Sequence, residues 1–77
     1  MKVQILNKKL QNFTGEAWLV KKGKKHYVVS GTDAFYSGWE VLVFECNKDG
    51  EVTNWSDVCG GRGVSHDEAI NELEELD

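Results

Sequence analysis

From residue 16 to residue 55 the apolar residues come in short runs of aromatic and β-branched side chains broken by glycines, the pattern of strands joined by turns. From residue 69 they recur instead at the three- and four-residue spacing of a helix. Glu16-Ala17-Trp18-Leu19-Val20-Lys21 and His26-Tyr27-Val28-Val29-Ser30 read as a hairpin closed by Lys22-Gly23-Lys24-Lys25, with glycine supplying the turn. Residues 31 to 38, framed by Gly31 and Gly38, read as a loop. Trp39 to Cys46 is the strongest strand signal, and Asn47-Lys48-Asp49-Gly50 turns it into a short return strand from Glu51 to Trp55. Residues 2 to 6 fit an edge strand or a short helical turn equally.

The helix starts at Ser65. Ser65-His66-Asp67-Glu68 has the form of a capping box, in which the serine oxygen and the Glu68 carboxylate satisfy orphan backbone N–H groups reciprocally. Val64 is placed to pack on Ala69 as a hydrophobic staple, and Ala69, Ile70, Leu73 and Leu76 line one face. The last turn is acidic, which the helix dipole disfavours, so fraying is expected towards Asp77. The fold expected is α+β: residues 1–77 form a single domain, a three- to four-stranded antiparallel sheet packed by one C-terminal helix.

Within the strand Trp39 to Cys46, Leu42, Phe44 and Cys46 share one face while Trp39, Val41 and Val43 share the other, so both faces are apolar. One helix covers one face. Leaving Trp39, Val41 and Val43 in water would forfeit several kcal/mol at ~25 cal/mol per Å² of apolar surface, a large share of a small domain's stability. That face is therefore expected to be covered by the segment around Phe13, by a second copy of the chain in a homodimer, or by a protein partner. Phe35 and Tyr36 of the preceding loop are placed beside it.

Composition narrows the classes. With 77 residues, 40% apolar and 29% charged, the chain sits near the size at which a single core is barely sufficient. No apolar run approaches the ~20 residues that span a membrane, and the first residues lack the apolar segment of a signal peptide, so a cytoplasmic location and reduced cysteines are expected. The net charge of −4 conceals a polarity. Residues 1 to 25 carry seven lysines against one glutamate, a balance of +6, whereas the rest carries Lys48 and Arg62 against twelve acids, a balance of −10.

The stretch Cys59-Gly60-Gly61-Arg62-Gly63 before the helix looks chemical, but each specific reading fails on spacing. A thiol phosphatase loop requires Cys-x5-Arg, and Arg62 is three residues after Cys59. Neither a P-loop nor a dinucleotide fingerprint is present, and Asp67 and Glu68 put negative charge where an anion would sit. Cys46, Cys59, His26 and His66 contain no Cys-x2-Cys pair for zinc, and His66 reads as an exposed residue of the first helical turn. A strand-to-helix joint remains, with Arg62 either pairing to a local carboxylate or facing a partner. No metal, cofactor or catalytic residue is expected.

One basic feature stands apart. Lys21, Lys22, Lys24 and Lys25 at the hairpin tip, flanked by Trp18 and Tyr27, form an alternative nucleic-acid-binding site, with lysines for phosphate and aromatics to stack a base. A weaker reading, mimicry of nucleic acid by Glu72, Glu74, Glu75 and Asp77, rests on a charge run alone.

Taken in order, Tyr27-Val28-Val29-Ser30, Trp39-Glu40-Val41-Leu42-Val43-Phe44, Gly50-Glu51-Val52-Thr53-Asn54-Trp55 and Gly60-Gly61-Arg62-Gly63 followed by Ser65, Glu68 and Ala69 resemble a diffuse group of small phage and prophage open reading frames. The resemblance covers roughly residues 26 to 74 and brings no catalytic residues. It implies an accessory protein of a mobile element that acts by binding, for example as an inhibitor of a host defence, replication or transcription component. The function expected is thus a non-enzymatic binding protein working through a protein–protein interface at Trp39, Val41, Val43, Phe35, Tyr36 and Arg62.

Overall fold

A computed structural model describes residues 2–10, 15–34 and 38–76, with the main chain alone at Asp33 and Ala34. Among them are five strands, β1 (Val3–Asn7), β2 (Glu16–Lys22), β3 (Lys25–Ala34), β4 (Gly38–Cys46) and β5 (Val52–Arg62), and one helix, α1 (His66–Glu75). The strands form one antiparallel sheet in sequence order, a meander from β1 at one edge to β5 at the other. The α+β class with a C-terminal helix is as expected; the strand number is five rather than three or four.

One departure adds a strand and two lengthen strands already expected. Val3–Asn7 pairs with β2, so the ambiguous N-terminal segment is a strand. Residues 31 to 34, read as loop from their glycines, continue β3 and pair with β4 from Gly31↔Val41 to Ala34↔Gly38. Gly31 is there for space: a Cβ on it would lie 2.5 Å from both His66 Cε1 and Trp39 Cζ2. Finally β5 runs on to Arg62, with Gly60 facing Leu42 and Arg62 facing Glu40, so the supposed joint is itself sheet.

Two apolar clusters hold the layers together. On one side Ala69, Ile70 and Leu73 of α1 bury Val20, Tyr27, Val29, Val41 and Val43, with Val3, Trp18, Cys59 and Val64 at the margin. On the other, Ala17, Leu19, Val28 and Cys46 are covered by Leu10, whose N–H donates to the Ala17 carbonyl at 3.1 Å, and by Val52. The helix thus takes the face that was expected to be bare. Val41 and Val43 alternate onto that side and are fully buried under α1. Phe13, named as a possible cover, lies outside the described residues, as does Asp77.

Both helix ends are secured. The capping box forms: Glu68 N–H donates to Ser65 Oγ at 3.1 Å and Ser65 N–H to Glu68 Oε1 at 3.2 Å. Val64 packs against the cluster to which Ala69 belongs. At the other end no basic residue of α1 serves the carbonyls, and Lys22 of β2 does so instead, its Nζ donating to the Leu73 carbonyl at 2.6 Å and to that of Leu76. Lys22→Met, which keeps the aliphatic stem, should therefore cost about 1 kcal/mol and lower Tm by about 4–8 °C in a thermal melt. An unchanged melt would mean that solvent serves those carbonyls equally well.

Candidate partner-binding face

The face away from α1 is only half covered. Leu10 and Val52 shield its β2–β3 part, while Leu42 and Phe44 towards β5 stay half-buried and Trp55 stands 69% exposed. Trp55 meets Phe44 edge-on, with ring centroids 5.2 Å apart and planes at 62°. Such a pair positions the indole without burying it.

A bulge puts the indole there. Between the pairs Val43↔Cys59 and Glu45↔Asn54, β4 advances two residues and β5 advances five. Three surplus residues must leave the ladder, and Trp55, Ser56, Asp57 and Val58 are all exposed as a result. Side chains within β5 stabilise the excursion: Asn54 Oδ1 accepts the Ser56 N–H at 3.0 Å, and the Thr53 hydroxyl donates to the Glu45 carbonyl at 3.3 Å. Trp55 and Val58, the latter 39% exposed, form an apolar projection with Asp57 between them.

Of the residues expected at the interface, Val41 and Val43 are fully buried beneath α1, so they cannot touch a partner. Trp39 is 38% exposed but lies on the helix side, its ring centroid 6.1 Å from that of His66. Arg62 is exposed across the ladder from Glu40. Phe35 and Tyr36 lie outside the described residues. Trp55, the most exposed large apolar residue described, was read only as the end of a strand. Ser56 and Asp57, the two polar residues directly after it, were the available sign of a bulge.

His66 is the second correction. Far from exposed, it is 6% accessible and stacks on Trp18 with centroids 4.5 Å apart and planes at 30°. Its Nε2 lies 2.9 Å from the Glu16 carbonyl, which can only accept, so Nε2 carries a proton; Nδ1 lies 3.7 Å from the Glu16 carboxylate. The ring is a structural bolt between α1 and the start of β2. It fits because Gly31 offers no side chain.

The basic hairpin is committed in the same way. Tyr27 is 9% accessible and belongs to the core, so it cannot stack a base. Trp18 has one face against His66 and Lys8 Nζ 4.7 Å from its ring centroid. Lys22 caps α1, and Lys25 pairs with Glu45 at 3.6 Å. Lys24 is exposed and Lys21 half-buried.

Neither thiol is poised to react. Burial and then the neighbouring Glu45 carboxylate push Cys46 up to about 11, and burial, Glu72 and Asp57 push Cys59 up to about 11 against a small opposing pull from Lys22. Cys46 packs on the face away from α1 and Cys59 on the helix side, where its Sγ lies 3.7 Å from the Ala69 carbonyl, so they do not pair. Among the described residues no three His, Cys, Asp or Glu side chains converge as a metal site, and no helix is long and apolar enough to cross a membrane. Comparison with protein-family profiles, with curated proteins and with solved structures found no match for the chain.

Proposed function

We propose that the protein is a non-enzymatic binding module that engages a protein partner through the sheet face opposite the helix, with Trp55 as its anchor. One observation carries this reading: a tryptophan 69% exposed, projected by a bulge and steadied by Phe44. An indole held in water costs stability that burial against a partner recovers, and tryptophan is among the residues that dominate interface energetics. The neutral thiols and the fully engaged His66 support a role without chemistry. The resemblance to phage accessory proteins supports a protein partner, a host-cell protein or a second copy of the chain, in the bacterial cytoplasm.

Affinity capture from a bacterial lysate, with the protein and its Trp55→Ser variant as parallel baits, tests the reading. Because the side chain is largely exposed, the variant should melt within about 4 °C of the parent and lose the captured protein. Capture that is indifferent to Trp55→Ser would refute the anchor.

A further inference from the structure

The charge polarity of the sequence becomes a spatial one in the sheet. Lys2, Lys8 and Lys9 lie on or beside β1 at one edge, with Lys21 and Lys22 on β2, whereas Glu40, Glu45, Asp49, Glu51 and Asp57 lie on β4, β5 and the turn between them at the other. The two edges are four strand spacings apart, roughly 19 Å at ~4.8 Å each. Each also exposes large apolar side chains: Ile5 and Leu6, 40% and 43% accessible, on β1 with Lys2 just before it and Lys8 and Lys9 just after it, and Trp55 and Val58 on β5 with Asp57, and Glu51 just before that strand.

These two patches are complementary to each other and not to themselves. A symmetric contact of β1 with β1 would set Lys2 and Lys9 against their own copies, and one of the Trp55 projection with itself would oppose Asp57 and Glu51 to theirs. Pairing the lysine-rimmed aliphatic patch with the acid-rimmed indole removes both repulsions and buries apolar surface on each side. We infer that the occupant of the Trp55 surface is a second copy of this chain, presented through its β1 edge, in a head-to-tail contact. This rests on the proposal that the Trp55 face binds protein, and names the partner.

The contact runs through side chains and not through strand addition. Val3 N–H is already taken by Glu74 Oε2 at 2.8 Å, and β1 is kinked by the register shift between Ile5 and Asn7. Both devices blunt an edge against backbone pairing. A head-to-tail contact uses two different surfaces on each copy, so it propagates into a closed ring or an open chain, whereas a symmetric one stops at two.

Sedimentation velocity on the protein and two blocked variants tests this directly. Trp55→Ser closes the acidic patch, and Lys2→Glu with Lys9→Glu closes the basic one; all three positions are exposed, and circular dichroism verifies folding. The parent should form species larger than a dimer as concentration rises, with association at least about tenfold weaker in about 500 mM salt than in about 50 mM. Each variant alone should be monomeric, and an equimolar mixture should give a dimer and nothing larger, since one open patch of each kind remains. A monomeric parent, self-association of the lysine variant alone, or a mixture that stays monomeric would overturn the inference. If the parent is monomeric yet Trp55→Ser still loses a captured lysate protein, head-to-tail pairing fails while the binding face stands; if capture also ignores Trp55→Ser, both fail.

Discussion

Gly60→Ala should be among the most damaging single-methyl additions to this protein, costing on the order of 3 kcal/mol or more. Gly60 sits at φ +101°, where an L side chain is strained, and a Cβ there would lie 2.2 Å from the Val41 carbonyl oxygen and 3.0 Å from Leu42 Cα. Those atoms are main chain in the middle strand of the β3–β4–β5 ladder, so they cannot rotate away as a side chain would. Relief requires β5 to peel from β4, which would also withdraw Cys59 from the helix-side cluster. A thermal melt should show Tm falling by at least about 12 °C, at ~4 °C for each kcal/mol. A variant within about 0.5 kcal/mol of the parent would mean that β5 shifts freely, and that the bulge preceding it is not fixed by the ladder.

Leu73→Ala should cost about 2–5 kcal/mol, the range for removing a buried leucine and leaving a cavity. Leu73 is 1% accessible and, with Ala69 and Ile70, is the helix's contribution to the cluster over Val20, Val29, Val41 and Val43. Leu76, at 41% accessible, provides the control: Leu76→Ala should cost under about 1 kcal/mol despite the same chemical change. Urea unfolding followed by circular dichroism measures both, with the slope against denaturant unchanged. A Leu73→Ala cost below about 1 kcal/mol would show that α1 is not seated on the Val41–Val43 side of the sheet.

Local signals were the ones legible in the sequence. The capping box, the turn at residues 47 to 50 and the hairpin around Gly23 are all contacts between residues a few positions apart, and each forms. What was missed depends on distant partners. Gly31 carries the signature of a loop, yet its lack of a side chain serves an imidazole 35 positions later in the sequence. His66 follows an N-cap, where exposure is the usual expectation, and only the arrival of Trp18 and Glu16 from β2 buries it.

The candidate face shows the same limit. That β4 is apolar on both sides was visible from its alternation, and the conclusion that α1 could cover one side alone was sound. Which side it covers was not visible, because Trp39, Val41 and Val43 offer no less apolar surface than Leu42, Phe44 and Cys46. The choice falls to packing and to the chain's route out of β5. Trp55 escaped notice because a bulge of three residues changes which positions face out, and periodicity assumes an unbroken register.

The contacts at the far end of α1 also bear on the order of events in folding. Each step of the meander closes a short loop, so its hairpins can form early and independently. The bonds from Lys22 to Leu73 and Leu76 and from Val3 to Glu74 span 51, 54 and 71 positions, and they bear the highest closure entropy in the molecule's described hydrogen-bond network. They can form only after the β1–β2 edge exists to receive the helix. The helix terminus and the first strand therefore belong to one cooperative unit, in which neither can loosen without releasing the other.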